Sequence, residues 1–234
     1  MSNALGGWGE FATALVLFFV SHALPVRPAF RLVLTGLVGE RAFTLGYSLV
    51  SVAVLALLIF AAGRAPYVEL WPPAQWQSWA PNLAMPVVCL LLAFGMAVPN
   101  PLSFGGTRPE RFNPDQPGIV GVARHPLLLA LALWAGAHVV PNGDVAHVVL
   151  FGLFAGFAMA GMATVDRRKR RLMGDAEWTR LAARTSLWPF AALLQGRLRP
   201  SSELSQLRLL IALALYAALL SLHSPVIGVA PWPS

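Results

Sequence analysis

The stretch VAHVVLFGLFAGFAMAGMATVDRRKRR, residues 145–171, decides the fold. Residues 145–164 contain no Lys, Arg, Asp or Glu. A run of about 20 such residues, rising 1.5 Å each as a helix, covers the roughly 30 Å hydrocarbon core of a bilayer. The chain then turns cationic, with Arg167, Arg168, Lys169, Arg170 and Arg171 in succession. An apolar run stopped by a block of positive charge reads as a membrane span with its basic end held at one face.

Working outward, the same alternation repeats along the chain. It predicts spans over residues 11–27, 44–62, 82–98, 127–140, 145–164 and 207–223. The expected fold is all-α, a polytopic membrane helical bundle of about six transmembrane helices. Only Pro141, Asn142, Gly143 and Asp144 separate the short fourth span from the fifth, so these two form a helical hairpin closed by a tight turn. Asp144 is placed to cap the fifth helix. No internal repeat is evident.

The charges orient the bundle. Of the 17 basic residues all but Arg64 fall in the first, third and fifth connectors or at their edges. The positive-inside rule then puts those connectors in the cytoplasm and both termini in the periplasm of a bacterial inner membrane. Composition agrees: 57% of residues are hydrophobic and 12% charged, against about 25% charged in soluble domains. The net charge of +7 follows from these basic connectors, and no basic groove with interleaved stacking aromatics marks a nucleic-acid partner. Membrane lipid is the expected partner. The lone Cys89 excludes an intrachain disulfide and a cysteine-based zinc site. The first ten residues carry no Lys or Arg, unlike the n-region of a secretory signal.

Two connectors have further character. Tyr67, Trp71, Trp76 and Trp79 in the second suit an interfacial belt, ring buried and N–H wet. Residues 166–184 place Trp178, Leu181 and Ala182 near one face of a basic helix, which suits a segment lying on the anionic inner leaflet. Glu40 and Arg41 are positioned to pair beside the second span. From Pro200 the composition changes, dividing the chain into a membrane domain, residues 1–199, and an appended helix, residues 200–234.

Five histidines are present. His147 and His223 sit at span ends, near water. His22 and His138 fall inside apolar runs, where ionisable groups are rare and mark functional sites. Two uses are open: a neutral imidazole bonded to a neighbouring helix, or an axial ligand of a flat macrocycle such as haem, held between two imidazoles. Their depths differ by about 5–10 Å, an offset a tilted ring absorbs. Pro25, one turn after His22, breaks the first helix. His125 and His138 stand about 20 Å apart along one helix and cannot share a small ligand. Arg124-His125-Pro126 reads as a helix start, either a charge anchor or a cradle for an anion or cofactor phosphate. No Ser-His-Asp order, phosphate loop or paired carboxylates appear.

An ordered set of short motifs resembles the NnrU family. It runs from Phe18-Phe19-Val20-Ser21-His22-Ala23-Leu24-Pro25 through Gly39-Glu40-Arg41, Pro99-Asn100-Pro101, Arg124-His125-Pro126, Leu133-Trp134, Ala137-His138 and Asn142-Gly143-Asp144. It ends with Asp166-Arg167-Arg168, Thr185-Ser186, Pro189-Phe190 and Gly196-Arg197. These cover roughly residues 11–199. The resemblance implies a role in bacterial denitrification and nitric oxide metabolism. The set is also similar to the zeta-carotene isomerases, membrane proteins that bind haem b and isomerise a carotenoid double bond. It thereby implies haem b held by His22 and His138, with a small gas or a hydrophobic molecule as further ligand. A cysteine that takes part in redox-dependent ligation in those isomerases corresponds to Ala135 here, and a methyl group cannot ligate.

A more remote similarity, to the isoprenylcysteine and phospholipid methyltransferases, would put an S-adenosylmethionine site near Arg124, His125 and residues 166–189. Of the acidic residues usual there, only Asp166 is present. A third reading is a non-catalytic assembly or regulatory factor with a respiratory complex as partner.

Overall fold

A computed structural model describes residues 4–25, 27–198 and 205–232. Ten helices are present among them: α1 (Ala4–Ala23), α2 (Pro28–Val38), α3 (Glu40–Arg64), α4 (Trp79–Gly95), α5 (Ile119–Val122), α6 (Pro126–Val139), α7 (Val145–Met173), α8 (Asp175–Ala182), α9 (Ala191–Leu194) and α10 (Gln206–Ile227). The protein is an all-α membrane bundle, as the alternation of apolar runs and basic connectors requires. α3, α7, α10 and the stretch Gln75–Gly95 are long and apolar enough to cross a membrane, and α6 and Ala29–Val38 are shorter apolar helices.

The six expected spans correspond to α1, α3, α4, α6, α7 and α10. Their ends shift by a few residues throughout, and three departures have a clear physical reason. α1 ends at Ala23, before Pro25, because proline disfavours helical geometry in the residue it follows. α2 forms where a connector was expected: Pro28 starts it, and Phe30, Leu32, Val33, Leu37 and Val38 remain exposed along it. α7 continues past residue 164 through its basic block to Met173, since Arg and Lys are good helix formers. It stops at Gly174, whose φ of 83° only glycine adopts readily. The expected boundary near residue 200 lies outside the described residues.

The chain divides into two units. In the first, residues 1–71 with 143–150, α3 packs against α1 and α2. Val54, Leu58, Ala61 and Ala62 line its buried face, with Phe11 and Ala14 buried on α1. Glu40 pairs with Arg31 rather than with its neighbour Arg41. The loop after α3 meets residues 143–145 through Leu70 N–H to Gly143 O at 2.7 Å and Val145 N–H to Val68 O at 2.9 Å. Asp144 caps α7, its Oδ1 accepting from His147 N–H at 3.2 Å.

The second unit holds residues 72–142 and 151–234. α4 packs on α6 through Val88, Leu91, Leu129 and Ala130, with Leu133 and Trp134 alongside. Leu128 of α6 meets Ala158 and Met162 of α7. Ala130 and Ala158 are the small side chains among them, and they let the helices approach closely where van der Waals fit replaces the hydrophobic effect. α10 docks on α4: Arg208 Nη1 donates to Ala93 O at 2.7 Å, and Asn82 Nδ2 to Pro231 O at 2.6 Å. Around α5, Leu102, Val120, Leu181 and Ala182 make a separate small core with Trp178 packed on it.

Candidate functional site

His22 and His138 sit in different units but share one local geometry. On α1, His22 Nδ1 lies 2.7 Å from Phe18 O, one turn earlier. The Phe18 ring stacks on the imidazole at 4.1 Å, and Tyr47 of α3 meets its edge at 6.1 Å. On α6, His138 Nδ1 lies 2.7 Å from Trp134 O, again one turn earlier. Trp134 and Phe151 rings each stand 5.5 Å from this imidazole. Asn142 Nδ2 donates to His138 O at 2.7 Å and holds the helix end.

A carbonyl oxygen only accepts, so Nδ1 must carry the proton in both rings. In the neutral form each imidazole is thereby the tautomer whose Nε2 presents a lone pair, and neither Nε2 has a hydrogen-bond partner among the described residues. The bonds expected toward neighbouring helices run instead within each histidine's own helix. This is the orientation that metal-bound histidines show, Nδ1–H on a backbone carbonyl and Nε2 toward the metal. No group of three or more His, Cys, Asp or Glu side chains able to hold a bare ion is present among the described residues. A donor set of single imidazoles suits a macrocycle that brings its own equatorial nitrogens.

Arg124 and His125 belong to a different arrangement, inside the second unit. Arg124 is 8% exposed and His125 1%. Arg124 Nη1 pairs with Asp166 Oδ2, its Nε donates to Thr185 Oγ1 at 2.8 Å, and its guanidinium lies 4.9 Å from the Trp178 ring. Its backbone N–H donates to Ser186 O at 3.0 Å, and its carbonyl accepts from Asn100 Nδ2 at 3.1 Å. Burial pushes the guanidinium below its ordinary value, while the Asp166 carboxylate pulls it back up. It still remains a cation. His125 Nε2 faces Asp166 Oδ1 at 3.1 Å and Nδ1 faces Ser103 Oγ at 2.9 Å. The carboxylate accepts from Nε2–H, and Nδ1 shares a hydrogen bond with the Ser103 hydroxyl, which can donate or accept.

Ser103, His125 and Asp166 are thus hydrogen-bonded in chain order, an arrangement their sequence spacing does not reveal. Ser103 is 5% exposed, and the chain of bonds ties the loop before α6 to α7. The anion that Arg124 holds is Asp166. His125 caps the start of α6 and His138 stands near its end, so one continuous helix separates them. Asn100, Ser103, Thr185 and Trp178 escaped sequence reasoning because each enters through a long-range contact. Pro99-Asn100-Pro101 and Thr185-Ser186 were visible only as motifs.

With this geometry in view, comparison with known proteins is decisive at the family level. The chain matches the family described as NnrU protein over residues 10–231. It belongs to the NnrU family. The match in this NnrU chain takes in α10 as well as the residues that carried the resemblance. A curated relative is the chloroplastic 15-cis-zeta-carotene isomerase of Arabidopsis thaliana, 27% identical over 172 residues, which are 69% of this chain and 44% of the relative. The NnrU chain therefore spans less than half the length of that relative. No solved structure matches it significantly.

Proposed function

We propose that this NnrU protein is a haem protein of the bacterial inner membrane, in which His22 and His138 would hold haem b. The observation that carries the reading is the repeated clamp: Nδ1–H on the carbonyl one turn back, an aromatic ring against the imidazole, and Nε2 left with its lone pair. The resemblance set out above supports haem as the guest. When bound, the haem supplies one-electron redox chemistry and an iron that takes up diatomic gases.

The chain's own residues do the rest. The carbonyls of Phe18 and Trp134 hold the Nδ1 proton and fix the orientation of each ring. Phe18 and Tyr47 set aromatic rings against the His22 imidazole, and Trp134 and Phe151 do the same for His138. A haem held by these residues would supply the iron chemistry through which we connect the protein to nitric oxide and denitrification. A polyene isomerisation, which the name of the Arabidopsis relative suggests, is the variant reading. Buried Ala135 supplies no thiolate for it.

We further propose the cytoplasmic placement of the basic connectors, on the positive-inside rule. Arg124 and His125 then have a structural role, and the methyltransferase reading loses its anion cradle to Asp166. Absorbance of the purified protein tests the haem proposal. A Soret band is expected, abolished or strongly shifted in His22→Ala and in His138→Ala. Spectra unchanged in both variants overturn the assignment. Binding of S-adenosylmethionine, lost in His125→Ala, would instead support the methyltransferase.

A further inference from the structure

Beyond the histidines and the Arg124 network, the second unit carries a cleft of about 500 Å³ lined by Ala183, Arg184, Gly196 and Arg197. Gly196, at φ 69°, turns the chain after α9 so that Arg197 folds back onto the end of α8. Arg197 Nη1 donates to Ala183 O at 2.7 Å and to Thr185 O at 2.9 Å, and its Nε to Gln195 Oε1 at 2.9 Å. All three acceptors are neutral. The guanidinium is therefore fixed in position with no carboxylate against it among the described residues.

Arg184 forms the other wall. Its guanidinium meets Asp115 at 3.1 Å, but the Asp115 side chain is 74% exposed and such pairs are weak in water. Among the described residues, one solvated carboxylate stands against two guanidiniums, which leaves the cleft positive. A guanidinium offers paired N–H donors that match phosphate oxygens. The same segment exposes Trp188 at 69%, Phe190 at 53% and Leu194 at 85%. Large apolar side chains beside a cationic cleft, in a chain built of membrane helices, are the composition of a lipid-facing surface.

We propose that the Arg184–Arg197 cleft holds the phosphate of an anionic phospholipid headgroup, with Trp188, Phe190 and Leu194 seated in the acyl boundary beside it. This does not depend on the haem reading. The full chain, purified in detergent and offered equal phosphatidylglycerol and phosphatidylcholine, is examined by native mass spectrometry for retained lipid. Phosphatidylglycerol is retained preferentially. Arg184→Gln and Arg197→Gln each reduce that retention by about fivefold, the weight of one arginine at a membrane surface. Arg180→Gln, which removes an exposed arginine paired with Glu177 outside the cleft, leaves it unchanged.

Arg197 also supports its turn, so Arg184→Gln, which keeps every hydrogen bond of Arg197, is the decisive variant. Equal losses in Arg180→Gln and Arg184→Gln would mean diffuse surface charge and overturn the site. Equal retention of the two lipids, with excess inorganic phosphate still bound through Arg184, would make it a soluble-anion site and overturn the lipid assignment.

Discussion

Arg124, which is buried, and Asp166, which is partly buried, form an ion pair that ties the residue before His125 to the basic end of α7. The two are far apart in sequence, and the pair is closed over by Thr185, Trp178 and His125. Buried charges owe their place to their partners. Their desolvation is repaid only while every lone pair and proton is engaged.

Asp166→Ala should accordingly destabilise the protein by about 3–5 kcal/mol, the cost of leaving a buried charge unpaired. Replacing both partners, Arg124→Met with Asp166→Leu, should recover part of the loss. It should not recover all, because His125 Nε2 stays without its acceptor. Thermal unfolding in detergent measures the order: wild type, double variant, Asp166→Ala. An Asp166→Ala midpoint equal to that of wild type contradicts the account of this network.

Two glycines should respond in opposite ways to a third. Gly174 adopts φ 83°, where a Cβ costs about 1–2 kcal/mol. At Gly143 a Cβ would collide with Trp71 O, and the loop pairing with residues 68–71 would have to shift. Gly152 lies inside α7 with nothing within 4 Å of its Cβ position, so alanine there should gain up to about 1 kcal/mol of helix propensity. Gly174→Ala and Gly143→Ala should lower the unfolding midpoint, and Gly152→Ala should hold or raise it.

These glycines also show what was legible in the sequence. α3, α7 and α10 were readable because a membrane span needs little more than uncharged length. α2 was hidden because Arg27, Arg31 and Arg41 around it read as a connector, although its residues are largely apolar. The run Arg167–Arg171 likewise resembled the end of a helix, yet charge does not stop a helix, and the break waited for Gly174. At the candidate site, His22 and His138 stood out through their apolar surroundings, and their Nδ1 clamps came from residues one turn earlier. The meeting of Ser103, His125 and Asp166 was not legible, since no local period connects residues on separate elements.

Acid should loosen α8. The hydrogen bond from Arg170, and its charge, hold the Asp175 carboxyl below its ordinary value, and Arg180 does the same for Glu177. A depressed carboxylate contributes stability above its unfolded pKa and loses it as pH falls through the lower folded value. Amide exchange over residues 176–182 should therefore show less protection as pH drops below the ordinary carboxylate range, after correction for intrinsic exchange. Asp175→Asn with Glu177→Gln should remove that pH dependence. A dependence unchanged in this double variant would show that other groups carry it.

The central claim is that two imidazoles, each presenting Nε2, ligate one haem. Its most direct test is electron paramagnetic resonance of the ferric protein after reconstitution with haem b to constant stoichiometry. The account predicts one haem per chain with a low-spin, bis-imidazole signal, turning high-spin in His22→Ala and in His138→Ala. A protein that takes up no haem, or whose low-spin signal survives both single replacements, contradicts it.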